Sequence, residues 1–191
     1  MKTFELKGLA RPEVGKKASK SIRSTESIPC VMYGGKEITH FQVAQSDVRK
    51  LIYTPEIFLV ALNIEGAKKT AILKDIQFHP VKDTILHIDF LEVSADKPIV
   101  MEVPIKLLGL AEGVKLGGKL SQEMRKLKVK ALYKNIPENL EINVENLTLG
   151  KTIQVGSLSF DKLTILDNAV NVVAAVKLTR AARGAMAKGG K

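Results

Sequence analysis

The 191-residue chain has no tryptophan, one cysteine, three histidines and only 5% aromatic residues. With so few rings, its cores have to be aliphatic. The single cysteine, Cys30, excludes an intrachain disulfide and suits a reducing compartment. Lying between Pro29 and Val31-Met32, it reads as a small buried residue. The histidines and the cysteine show no paired spacing, and structural zinc typically takes four such ligands, so neither a metal nor another cofactor is expected. No apolar run approaches the ~20 residues needed to span a bilayer. The start, MKTFELKGLARPE, has no apolar stretch of signal-peptide length. The expectation is a cytoplasmic protein with no membrane partner and no small-molecule substrate.

What is present is charge and short alternation. The chain is 45% hydrophobic and 26% charged, enough to build cores for one large domain or two smaller ones. Its net charge is +10, and the excess is localised. Residues 1–23 hold seven basic and two acidic side chains, and residues 179–191 hold four basic and none acidic. The two ends thus supply +5 and +4 of the total. A balance of this kind points to a polyanionic partner, of which nucleic acid is the usual one.

Short strands dominate the pattern. Residues 28–33 and 38–43 alternate on either side of Gly34-Gly35, a turn signal. Ser46 reads as the N-cap of a short helix carrying Val48, Leu51 and Ile52 and ended by Thr54-Pro55. Strands follow at 57–64, 70–78 and 84–93, with His79-Pro80 expected to break the pairing of the last two. Many strands with one helix point to a small barrel or sandwich. Ser94–Pro98 is the expected boundary, giving domains over 1–94 and 95–178 and a disordered, glycine-rich basic tail over 179–191. The second domain reads as all-β, with strands at 99–108, 125–133, 140–144, 152–155 and 171–178.

Within Thr84–Val93, alternation sends Leu86, Ile88 and Phe90 to a core face and His87 and Asp89 together to the other. Gln77 falls in the matching phase of its own strand, opposite to Ile72, Ile76 and Phe78. A ring beside a carboxylate fits a base oriented by an acid. No nucleophile partner stands out, and the pair makes better sense as a recognition surface, with Asp89 accepting from base amino groups and His87 donating to a phosphate or 2′-hydroxyl. Residues 15–24, GKKASKSIRS, read as a surface segment in which Lys16, Lys17, Lys20 and Arg23 alternate with hydroxyls such as Ser19, a phosphate-contacting composition. Arg11 adds a guanidinium upstream, and Tyr33 ends a strand where its ring can stack on a base or close a core. Gly113–Leu120, GVKLGGKL, has the glycine–lysine frame of a phosphate-binding loop but Leu120 where a hydroxyl should hold magnesium. It reads better as a glycine-rich β connection.

GKKASKSIRSTESIPCVMYGG resembles the first signature of the bacterial large-subunit ribosomal protein L-twenty-five family, in the two-domain form called CTC or general stress protein CTC. DIQFHPVKDTILHIDF resembles its second signature, and VPIKLLGLAEGVKLGGKL, Ile136–Glu138 and Leu147–Gly150 resemble the CTC extension. The resemblance spans residues 1–178. It implies a mainly β protein: an N-terminal β-barrel with one or two short helices that binds an internal loop of 5S ribosomal RNA, and an all-β second domain. It implies a structural constituent of the large subunit, not an enzyme, with neighbouring ribosomal proteins and 23S RNA as further partners. The family's RNA-contacting positions fall on Arg11, Arg23, Tyr33, His87 and Asp89; Lys16, Ser19 and Gln77 match further contacts, and Lys20 belongs to the same basic run. The chain departs from the pattern at Lys20, Ser21 and Ser24, where arginines are usual, at Glu26, where glycine is common, and at Tyr133, which replaces a frequent proline. Two rivals are a tRNA-binding accessory protein, since the barrel is similar to the anticodon-binding part of glutaminyl-tRNA synthetase, and a small hydrolase using His87 and Asp89.

Overall fold

The computed structural model describes residues 1–35 and 37–180, so the expected basic tail lies, from residue 181 on, outside the described residues. The chain divides into two compact units: Met1–Ile99 with Leu132–Lys134, and Val100–Ala131 with the residues from Asn135 on.

In the first unit six strands close into a barrel: β1 (Lys2–Ala10), β2 (Ser27–Tyr33), β3 (Thr39–Ala44), β4 (Phe58–Ile64), β5 (Ala67–Phe78) and β6 (Ile85–Glu92). Their order around it is β1-β3-β2-β6-β5-β4. Two of the seams are parallel, β1 with β4 and β2 with β6. Alternation sends Leu6, Cys30, Met32, Phe41, Val43, Val60, Leu62, Ile88 and Phe90 into one core, where the Phe41 and Phe90 rings lie 5.7 Å apart. Helix α2 (Gln45–Tyr53) adds Val48 and Leu51 to that core. Its N-cap is Ala44 rather than Ser46. The Gln45 N–H is met by the Glu26 carbonyl at 3.0 Å, so the helix starts early, and the Ser46 hydroxyl donates to Asp47 inside the first turn.

Two local expectations fail, each for a backbone reason, and a third segment is more regular than its letters suggest. The surface segment 16–24 is helix α1 (Lys16–Ser24), packed on β2. None of its residues is buried, and only Ala18 and Ile22, one turn apart, offer an apolar side, so apolar periodicity is too thin to reveal it. His79-Pro80 does not break the β5–β6 pairing, which runs out to Phe78 opposite Ile85. It builds the hairpin turn: His79 N donates to Thr84 O at 2.8 Å, and His79 Nδ1 accepts from the amides of Val81 and Lys82, each at 3.2 Å. Pro80, without an N–H, falls past the last rung. Finally, Leu86 does not enter the core. The register slips between Gln77 and Phe78, leaving Leu86 as a bulge and turning Ile85 inward instead.

The second unit is built on β7 (Ile99–Leu108), α3 (Glu112–Lys115), β8 (Lys119–Gln122), β9 (Lys126–Ala131), β10 (Leu140–Asn143), β11 (Thr152–Gln154), β12 (Thr164–Ile165) and β13 (Val172–Lys177). The strands form two sheets, β10-β7-β9-β12 and β11-β13-β8. The glycine-rich connection thus holds a single helical turn, α3, that its sequence does not announce. Its glycines are demanded by packing: a Cβ at Gly113 would lie 2.7 Å from Leu149 N, and one at Gly118 would lie 2.6 Å from Gly113 O. Both amides donate within the protein, Gly113 to Leu147 O at 2.9 Å and Gly118 to Gly113 O at 2.8 Å.

Candidate nucleic-acid interface

The barrel's outer face over β3, β2, β6 and β5 gathers the residues singled out above. Parallel pairing sets Val31 beside Asp89 and Tyr33 beside Leu91. Antiparallel pairing sets Gln77 directly opposite His87 and Asp75 directly opposite Asp89. Across β3, His40 stands beside Val31, and its carbonyl accepts from the Arg11 N–H at 3.1 Å, which carries Arg11 onto the same side just past the end of β1.

His87 and Asp89 do more than share a face. His87 Nδ1 donates to Asp89 Oδ1 at 2.7 Å, with about a quarter of each side chain exposed (24% and 27%). Using the proton on Nδ1 leaves Nε2 of the neutral ring as an acceptor, so donation to a phosphate requires the charged ring. The hydrolase arrangement gains no nucleophile from the nearest thiol. Cys30 points into the core, and burial, reinforced by Asp89 and only partly opposed by Arg11, pushes its thiol far above the ordinary range. Partial burial, then the charges of Asp89 and Asp75, raise the Tyr33 hydroxyl as well. It keeps its proton at neutral pH and remains a donor.

Helix α1 contributes a basic edge. At 100° per residue, Lys16, Ser19, Lys20 and Arg23 fall within an arc of roughly 100°, whereas Lys17, Ser21 and Ser24 fall outside it. The helix is fastened to β6 by one bond, Arg23 Nε to the Leu86 carbonyl at 3.1 Å, and the bulge is what frees that carbonyl from the β ladder. Arg23 keeps its two terminal amino groups for a ligand.

Arg11 is the unsettled member. Its Nε and Nη1 are buried without a hydrogen-bond partner. An unmet buried donor costs on the order of 1–3 kcal/mol, and more when charged. Alternation missed two neighbours: Asp75, two residues before Gln77 on the same strand face, and His40, whose position depends on cross-strand register. Among the described residues no cluster of histidine, cysteine, aspartate and glutamate is suited to a metal ion, and no helix is long and apolar enough to cross a membrane.

Residues 6–90 match the Ribosomal L25p family, and residues 98–180 match the family described as Ribosomal protein TL5, C-terminal domain. The chain is 64% identical over 190 residues to the large ribosomal subunit protein bL25 of Porphyromonas gingivalis, covering 98% of this chain and 99% of that one. It is 58% identical over 196 residues to the bL25 protein of Bacteroides fragilis and 54% over 198 residues to that of Phocaeicola vulgatus, with full coverage of both chains in each case.

Proposed function

The chain belongs to the ribosomal L25p family, and from that premise we propose that its barrel binds 5S ribosomal RNA through the face formed by β3, β2, β6 and β5. Membership makes it a structural protein of the large ribosomal subunit, at work in the bacterial cytoplasm. The 5S partner is what the resemblance implies, and the site is our reading of the geometry. Arg11, Lys16, Lys20 and Arg23 hold phosphates, the Ser19 hydroxyl donates beside them, and Tyr33, Gln77, His87 and Asp89 meet base edges and 2′-hydroxyls of an internal loop. In A-form RNA that means approach from the wide minor groove. The observation that carries this reading is the His87–Asp89 pair, fixed at 2.7 Å on the outer face of the barrel with Gln77 directly opposite His87.

The test is a titration of the full chain against 5S ribosomal RNA and against an unrelated structured RNA of equal length, with tRNA as competitor. Preferential binding of 5S RNA that tRNA does not displace is expected. Equal affinities would overturn the reading, and displacement by tRNA would favour the accessory-protein alternative.

A further inference from the structure

On β9 the buried residues Leu127, Val129 and Ala131 alternate with the exposed residues Lys126, Lys128 and Lys130. At a strand rise of ~3.3 Å, three ammonium groups therefore leave one sheet face from roots roughly 7 Å apart. Lysine is disfavoured in strands, and its common reason for being there, protection of an open edge, does not apply. β9 runs between β7 and β12. Beyond the short β12, the Lys128 N–H donates to Asp167 Oδ2 at 2.7 Å and its carbonyl accepts from Leu166 N at 2.9 Å.

Nor are these charges consumed locally. Lys128 comes only within 3.8 Å of Glu102, with both side chains more than half exposed (58% and 51%). Such a pair is worth little. Among the described residues, Lys126 and Lys130 have no carboxylate within ion-pair reach. On the neighbouring strand β7 Lys106 is exposed and lies beside Glu141 of β10. None of the four strands of this sheet carries an aromatic residue.

We propose that this face of the second domain holds an RNA backbone through its phosphates, independently of the barrel. Cations spaced along a strand match the step from phosphate to phosphate, and a face without rings has little with which to tell one base from another. The test uses the full chain with deproteinised large-subunit RNA and reads lysine acetylation by mass spectrometry. Lys126, Lys128 and Lys130 should lose reactivity when RNA is added, while Lys115, Lys151 and Lys162 should not. The triple variant K126Q/K128Q/K130Q should bind about tenfold more weakly and lower the salt slope by about two, whereas K115Q/K151Q/K162Q, with the same charge change, should leave both near wild type. Thermal melting checks that both variants fold. Protection of Lys16 and Lys20 with the β9 lysines still reactive would overturn this proposal, as would equal effects of the two triple variants. The opposite protection pattern would overturn the barrel reading and leave this one standing.

Discussion

The barrel and the second domain each present a polar sheet face, and the two differ in what stands among the cations. On the barrel, carboxylates stand among the cations: Asp89 is fastened to His87 and Asp75 lies across from it, with the phenol of Tyr33 close by as a donor. On β9, lysines follow one another, and the carboxylate near them, Glu102, is an exposed side chain 3.8 Å from Lys128 rather than one fixed in place. A surface dominated by cations holds a polyanion wherever it lands. Carboxylates weaken such attraction by repulsion, so their presence in a basic protein makes sense where one register of the ligand must be preferred over another.

The interiors differ in a parallel way. The barrel is filled by large side chains, Phe41 and Phe90 among them, while the second domain brings backbones together at glycines. Removing volume should therefore harm the first and adding volume the second. Phe90→Ala should cost about 3–5 kcal/mol in urea unfolding, and Gly113→Ala about 1–3 kcal/mol, since its new methyl meets backbone rather than a yielding side chain. A tolerated methyl at Gly113 would break the contrast.

On the barrel face, Asp89→Ala should remove roughly 1–3 kcal/mol of discrimination between 5S and unrelated RNA. Lys16→Ala should instead weaken all RNAs alike and lower the salt slope by about one. If Asp89→Ala tightened every RNA equally, the carboxylate would be no more than a repulsive charge, and the two faces would be of one kind.

The raised Cys30 thiol gives the barrel a pH signature. The folded protein keeps the thiol protonated, while the unfolded chain ionises above the ordinary value of 9.0. Stability is thus fully present below that pH and falls as pH rises, by up to about 1.4 kcal/mol per unit. Denaturant unfolding at a series of alkaline pH values should show this slope in wild type and a shallower one in Cys30→Ala. The smallest expected effect is at Glu26, which has φ 54. Glu26→Gly should stabilise by about 0.5–1 kcal/mol, seen as a higher melting temperature, because a side chain in the left-handed region is strained.

Glu26 also marks how far the chain can be read without coordinates. The unusual residue there was visible by resemblance, but the reason glycine suits it is a backbone angle. Alternation over 84–93 brought His87 and Asp89 together correctly, and Gln77 with them. It could not reveal that Leu86 bulges out, because the slip is a matter of hydrogen-bond register with β5 while the letters alternate without interruption. Chemistry and a resemblance single out the four α1 residues; that they share one stripe follows only from the helix. Asp75 opposite Asp89 and the partnerless donors of Arg11 depend on contacts between distant parts of the chain, which no local pattern encodes.

The parallel seam between β2 and β6 sets a timetable. Val31 and Asp89 are neighbours in space but come from the second and the last strands of the barrel, and such non-local pairings close slowly. During synthesis the N-terminal basic helix leaves the translating ribosome long before the strand bearing His87 and Asp89. If the barrel face reads RNA as proposed, a nascent chain offers bare cations first and selectivity only once β6 has docked. On the proposed reading, completion of the barrel turns a generic polyanion binder into a discriminating one.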